Sequence, residues 1–262
     1  MRTPLQSPAP FRPTERFSDR VESYRQHRPR YPAAIVDLLM RECGLSTKTQ
    51  IADIAAGTGL LAEIFLDCGN PVVTVEPNAP MRASCAELTM RYPRLVCVDG
   101  VAEATRLPAN GVDMLMVGQA MHWFDLERTR AEFVRILRPG GWCVAVYNRR
   151  HLTGDDFHAG YDLILKRFGT DYQRVQGIHL HEKQLVHFFA PADMLQTVLP
   201  NSQELTLDGL QGRILSSSYM PQTEDSRFPA MQREIEALFT RCQRSGTVRM
   251  EYDCAVSYGQ LA

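Results

Sequence analysis

Three groups of residues in this chain have types and spacing suited to chemistry. Gly57-Thr58-Gly59 sits between a strand-forming run, Ile51-Ala52-Asp53-Ile54, and a helix-forming run, Leu60-Leu61-Ala62-Glu63-Ile64-Phe65. A turn without bulky side chains at that place lets a ligand come close to the backbone. Glu76 ends the next strand-forming run, Val72-Val73-Thr74-Val75, where a carboxylate can accept hydrogen bonds from both hydroxyls of a ribose. Gln119-Ala120-Met121-His122-Trp123-Phe124 follows a further apolar run, and rings there can wall off a pocket whose polar groups are Gln119 and His122. A histidine can take a proton from a hydroxyl or carboxyl acceptor. The same hexamer also reads as an aromatic plug around a hydrogen-bonded histidine.

Gly57 to Ala62 satisfies the pattern G-x-G-x-x-G/A, with an acid near the end of the next strand. The motif alone leaves NAD and S-adenosylmethionine open. Val101-Ala102-Glu103 lies where a loop could pass an adenine edge with backbone groups of Ala102 and Glu103 as donor and acceptor, although the isolated tripeptide is not a signal of it. Arg149-Arg150 follows the run Trp142 to Tyr147, and a cation at Arg149 is placed to orient a carboxylate substrate. His179, His181 and Glu182 have no metal-binding framework around them, so no metal is expected. Met114, Met116 and Met121 read as core filling.

The elements that must position these residues alternate. Helical spacing is read over 33–42, 60–68, 80–91 and 126–137, and strands over 50–54, 72–75, 95–98, 112–117 and 142–147. Most of these strands lack polar alternation, which indicates a parallel sheet covered on both faces. A ligand then belongs at the carboxyl ends of the first and fourth strands. Beyond residue 150 the pattern changes to helices near 155–168, 206–217 and 225–245 and a last strand at 247–252, with residues 150–200 and the N-terminal helix read as a cover over the cofactor site.

Composition removes several classes. A formal net charge of -1 provides no basic field for nucleic acid. No apolar run approaches the roughly 20 residues of a membrane span. The seven cysteines are scattered without a C-x-x-C pair, which suits a reducing compartment, and a cytoplasmic protein is expected. Pro4, Pro8, Pro10 and Pro13 among the arginines of the opening make residues 1–20 an extended arm. Residues 21–262 read as a single domain, its cofactor half at about 45–150.

Taken in order, Asp53-Ile54-Ala55-Ala56-Gly57-Thr58-Gly59, Glu76-Pro77-Asn78, Ala102-Glu103-Ala104-Thr105, the hexamer at 119–124 and Arg138-Pro139-Gly140-Gly141 resemble class I S-adenosylmethionine-dependent methyltransferases. The opening Tyr24-Arg25-Gln26-His27-Arg28-Pro29-Arg30-Tyr31-Pro32 and the hexamer are similar to the trans-aconitate methyltransferase-like branch. The resemblance implies a Rossmann-like, doubly wound seven-stranded α/β sheet of order 3-2-1-4-5-7-6 with strand seven antiparallel and a helical cover. It implies that Asp53, Ala55, Gly57 and Gly59 hold the methionine part, Glu76 and Pro77 the ribose, and Ala102 with Glu103 the adenine. Gln119 and Ala120 would complete the amino-acid end, with Tyr24 and Arg28 closing over it. Ala55 stands where the family often has glycine and Val101 where it often has aspartate. The expected reaction is methyl transfer to a small molecule, on a carboxylate or hydroxyl oxygen first, with carbon and nitrogen acceptors open. An NAD-dependent oxidoreductase, a nucleic-acid methyltransferase and a non-catalytic partner subunit are the rival readings.

Overall fold

The structure is a computed structural model that describes residues 21–170, 172 and 182–261. The arm at 1–20 and the pair His179 and His181 lie outside the described residues. Seven strands form one sheet: β1 (Ile51–Ile54), β2 (Val72–Val75), β3 (Leu95–Val98), β4 (Val112–Gly118), β5 (Leu137–Arg150), β6 (Leu195–Leu205) and β7 (Val248–Gln260). Their order is β3-β2-β1-β4-β5-β7-β6. The first five pair in parallel, and β7 runs antiparallel to both β5 and β6. This is the order and direction that the resemblance implies.

The helices are α1 (Val21–His27), α2 (Ala34–Cys43), α3 (Leu60–Asp67), α4 (Ala79–Glu87), α5 (Leu126–Ile136), α6 (Asp156–Phe168), α7 (Glu182–Phe189), α8 (Leu207–Leu215) and α9 (Phe228–Cys242). Several begin where the sequence supplies a cap. Asn78, Asp125, Asp155 and Thr206 each accept a backbone N–H of the first turn, a bond worth about 1 kcal/mol. On one face of the sheet, α2, α3 and α4 bury Ile35, Leu39, Phe65 and Cys85 against β1, β2 and β4. On the other, α5 and α7 pack Phe133, Phe188 and Phe189. A third cluster joins α6, α8 and α9 to Leu205, Val248, Met250 and Tyr252. That cluster sits beyond the parallel strands, where β6 and β7 extend as a long antiparallel pair.

Three strands differ from the sequence expectation. β5 starts at Leu137 and β7 continues to Gln260, so both are longer than read. β6 was not read as a strand at all. It is an edge strand whose residues alternate between exposed and half-buried, and it contains Pro200, which an edge tolerates because one side of the strand needs no partner. Among the described residues, no helix is long and apolar enough to cross a membrane.

Candidate functional site

At the carboxyl ends of β1, β2 and β4 lies a cavity of about 410 Å³. Its position is the one expected for a ligand in an open α/β sheet. Tyr24, Arg28, Asp53, Ala55, Gly57, Glu76, Pro77, Ala102, Glu103, Gln119, Ala120 and His122 all line it. Gly59 and Arg149 do not.

The turn after β1 explains both the glycines and the exception. Ala55, Gly57 and Gly59 all have left-handed backbone, with φ of 55°, 58° and 86°. A residue with a β-carbon pays roughly 1–2 kcal/mol there, a cost that Ala55 bears and the glycines escape. A β-carbon on Gly57 would meet no atom within 4 Å, so the space beside it is open to a ligand. A β-carbon on Gly59 would lie 2.9 Å from Cys85 Sγ and from Leu88. Gly59 therefore serves α3–α4 packing.

Two carboxyl groups face this turn. Glu76 Oε2 accepts from the Gly57 N–H at 2.8 Å, and Oε1 accepts from the Asn78 N–H at 2.9 Å. Burial raises its pKa, and these two bonds and the Arg82 charge oppose the rise. Asp53 is 1% exposed, and neither of its oxygens has a hydrogen-bond partner. Burial pushes its pKa up to about 8, the Glu76 charge adds to the rise, and the Ala62 N–H opposes it without reaching hydrogen-bond geometry. A buried carboxylate left unbonded is costly. A cationic ligand group would relieve that cost.

The loops after β3 and β4 supply the adjacent wall. Ala102 is buried, and Glu103 Oε1 accepts from the Asp125 N–H at 2.9 Å, which fixes the loop to the start of α5. Val101 lines the cavity and is 38% exposed, apolar where a polar residue is common in the resembled family. Gln119 has φ 59°, and its amide donates to the Asn148 carbonyl at 3.2 Å. Its unusual backbone turns the chain out of the sheet at the cavity rim, a place where strained conformations collect. The His122 ring lies 4.5 Å from that of Trp123 and 6.2 Å from that of Tyr147, centre to centre.

The roof joins the start of the chain to residues beyond 210. None of the described residues of 150–200 lines the cavity. Tyr161, Phe168 and Tyr172 belong to the third core cluster, and Phe188 and Phe189 are buried beneath the sheet. The cover is made by α1, the segment Arg28–Tyr31 and the end of α8 with the turn after it, through Arg213, Ser218 and Tyr219. The two parts are locked together: Ser23 donates to the Gly212 carbonyl, and a β-carbon on Gly212 would lie 2.3 Å from the His27 ring. Asn201 and Asn148 both donate to the Arg30 carbonyl, holding the opening segment to the ends of β5 and β6. Arg149 is exposed on β5 opposite Asp253, outside the cavity.

Sequence reasoning missed Tyr31, Arg213 and Tyr219. Tyr31 packs its hydroxyl over Gly118, where a β-carbon would be only 2.6 Å away. Arg213 had a readable signal: it stands with Leu210 and Ile214 on the buried stripe of α8, at the i, i+3, i+4 spacing of a core face. A lone arginine on such a stripe calls for a partner.

Comparison with known proteins agrees with this geometry. Residues 52–145 match the methyltransferase domain, a stretch that runs from β1 into β5 and carries every turn just described on the floor of the cavity. Uncharacterised methyltransferases of Mycobacterium tuberculosis and Mycobacterium bovis are each 36% identical over 134 residues, 51% of this chain and 52% of theirs. The chain thus spans about half the length of these relatives. An uncharacterised methyltransferase-like protein of Schizosaccharomyces pombe is 26% identical over 240 residues, 90% of this chain and 91% of its own. A solved structure of a proposed type II methyltransferase from Anaeromyxobacter dehalogenans superposes with TM-score 0.63 at 21% identity, covering 89% of this chain and 98% of that one. At that identity the likeness speaks for the fold.

Proposed function

We propose that this protein transfers a methyl group from S-adenosylmethionine to an oxygen of a small molecule, a carboxylate before a hydroxyl. The observation that carries the reading is Asp53: a buried carboxyl without a hydrogen bond, beside a cavity built on a methyltransferase domain. The residues present fit the cofactor. Asp53 would hold its ammonium group and Arg28 its carboxylate. Gly57 leaves room for close approach, Glu76 keeps lone pairs for the ribose hydroxyls, and the backbone of Ala102 and Glu103 faces the adenine.

When bound, S-adenosylmethionine supplies an electrophilic methyl that an acceptor oxygen takes in one displacement, the carbon–sulfur electron pair leaving with sulfur. The chain's own work is alignment and exclusion of water. Ala120 and the rings of His122, Trp123 and Phe124 wall the acceptor side, while α1 and Tyr219 close the roof. An ionised carboxylate needs no base. A hydroxyl would need one, and His122 is the side chain placed to serve.

The acid acceptor is supported by the likeness of residues 24–32 and 119–124 to the trans-aconitate methyltransferase-like branch. Free cysteines, with no disulfide formed among the described residues, support a reducing, cytoplasmic setting. The test is calorimetry with S-adenosylhomocysteine followed by labelled methyl transfer to panels of carboxylic acids and phenols. Binding of the homocysteine product with ester formation is the expected result. Tight binding of NADH in its place would overturn the reading.

A further inference from the structure

The roof of the cavity carries two guanidinium groups, from Arg28 and Arg213. Arg213 is 8% exposed. Arg28 donates to the Ser216 carbonyl at 3.0 Å and lies over the Tyr24 ring, while its Nε is buried without a partner. Arg213 reaches only neutral groups at long range, the Tyr252 hydroxyl at 3.4 Å and Ser217 Oγ at 3.5 Å. Among the described residues neither arginine makes an ion pair, although surface arginines of this chain pair freely, as Arg135 does with Glu132 and Arg138 with Asp113. Burial, with the Arg213 charge adding to it, lowers the pKa of Arg28; burial also works against the Arg213 charge, and the Tyr161, Tyr252 and Tyr219 side chains outweigh it and raise the Arg213 pKa. Folding has put two guanidinium groups out of water with no acid among the described residues paired to them. A buried charge is retained at such a cost where something else pairs with it.

One of the two is accounted for by the reading above, on which this step rests. The cofactor's ammonium and carboxylate would be matched by Asp53 and Arg28. Its sulfonium then adds a positive charge to a chamber that still contains Arg213. An acceptor entering that chamber meets the Arg213 guanidinium, a planar five-donor fork, which favours a carboxylate.

We infer that Arg213 anchors a carboxylate of the methyl acceptor, and that this carboxylate is not the atom methylated. The second half follows from the first. A carboxylate held in a guanidinium fork has its lone pairs engaged and its charge spread, which makes it a poor nucleophile. The acceptor therefore carries two functions: an anchoring carboxylate, and a second carboxylate or hydroxyl that reaches the methyl between the fork and His122. Monocarboxylic acids without a second oxygen function should be poor acceptors.

The test uses the whole protein saturated with S-adenosylhomocysteine, titrated with glutarate, its neutral diamide and inorganic phosphate. Wild type, Arg213→Met and Arg213→Lys are compared. Glutarate is expected to bind wild type at least about tenfold more tightly than the diamide, a margin typical of a charge-assisted pair. Arg213→Met should lose that margin, and Arg213→Lys should keep part of it, since it has the charge without the fork. The ligand-free melting temperature of Arg213→Met should be no lower than that of wild type, because it removes an unpaired buried charge. A fall in melting temperature would make Arg213 a structural residue and overturn the inference. Equal glutarate binding by the variants, or phosphate preferred over glutarate, would also overturn it. Should Arg213→Met not fold, Arg213→Lys alone must show the weakened binding. Failure of S-adenosylhomocysteine to bind wild type would remove the methyltransferase reading and this inference with it. Its binding with no carboxylate preference would remove this inference alone.

Discussion

Glu76 holds Gly57: its Oε2 accepts the Gly57 N–H at 2.8 Å while its Oε1 accepts the Asn78 N–H at 2.9 Å. One carboxylate thus ties the turn after β1 to the loop after β2 before any ligand arrives. A side chain expected from sequence to be a ribose acceptor also builds the floor on which a cofactor would lie.

Glu76→Gln therefore has two expected effects. A glutamine has one acceptor oxygen, so either Gly57 or Asn78 would face an NH₂ group instead. Stability should fall by about 1–3 kcal/mol, the cost of a buried donor left unbonded. Affinity for S-adenosylhomocysteine should fall by roughly tenfold to a hundredfold, because a charge-assisted acceptor is lost as well. Thermal melting and calorimetry on the same sample separate the two effects. Unchanged affinity would show that Glu76 acts on the turn alone.

Asp53 sets a pH dependence whose sign is opposite to that of a salt-bridged acid. Its folded pKa of about 8 lies above the ordinary value of 3.8, so between these values the folded chain keeps a proton that the unfolded chain has lost. Stability contributed at this site is then highest below the ordinary carboxyl pKa, falls as pH rises, and levels off above about 8. Asp53→Asn should remove that fall, melting above wild type at about pH 8.5 and close to it at about pH 4. Cofactor binding requires the charged form, so wild-type affinity for S-adenosylhomocysteine should rise with pH up to about 8. The variant should bind weakly with a flat pH profile, and a steep profile retained in Asp53→Asn would assign the titration elsewhere.

Gly57 and Gly59 should separate in a way that the motif does not reveal. Both have left-handed backbone, so alanine at either costs roughly 1–2 kcal/mol. Only at position 59 does the new β-carbon also collide, 2.9 Å from Cys85 Sγ and Leu88. Gly59→Ala should be the less stable variant by melting, with cofactor affinity near wild type in the fraction that folds. Gly57→Ala should keep most of its stability and lose affinity, since its methyl enters open space beside the cavity.

The parallel half of the fold was legible because its signals are local. Apolar runs of four residues and glycine stops marked β1, β2, β3 and α3 to within a residue, whereas α4 ends at Glu87, four residues before the end read from its spacing. β6 was not legible: its edge position gives a half-exposed alternation interrupted by Pro200, and its pairing with β7 joins Leu195 to Tyr258 across the chain. The floor of the site was legible for the same reason as the strands, since turns at strand ends carry it. The α8 side of the roof was not, because α1 and α8 meet through Ser23, His27 and Gly212, residues far apart in sequence. Aromatic content drew attention to 150–200, but those rings fill cores. Arg213 was visible as a charge on an apolar stripe, yet only the fold brings it to Arg28.

The last prediction concerns His122 and turns on the acceptor atom. Its ring stands among Trp123 and Tyr147 on the acceptor side of the cavity. A carboxylate acceptor arrives ionised and its oxygen attacks without losing a proton, whereas a hydroxyl must lose one as the new bond forms. General-base help of that kind is worth about 10²–10⁴ in rate. His122→Asn keeps a polar side chain at the wall but has no basic nitrogen. With dicarboxylic acids its kcat should fall less than about tenfold, leaving the pH profile of kcat unchanged in shape; a loss of two orders or more would place a base in acid methylation, which simple displacement does not require. With hydroxy acids methylated at the hydroxyl, the same variant should lose at least about a hundredfold, and the rise of kcat through the histidine pKa should disappear. The ratio of the two losses, measured on one protein preparation, identifies the chemistry for which the site is built.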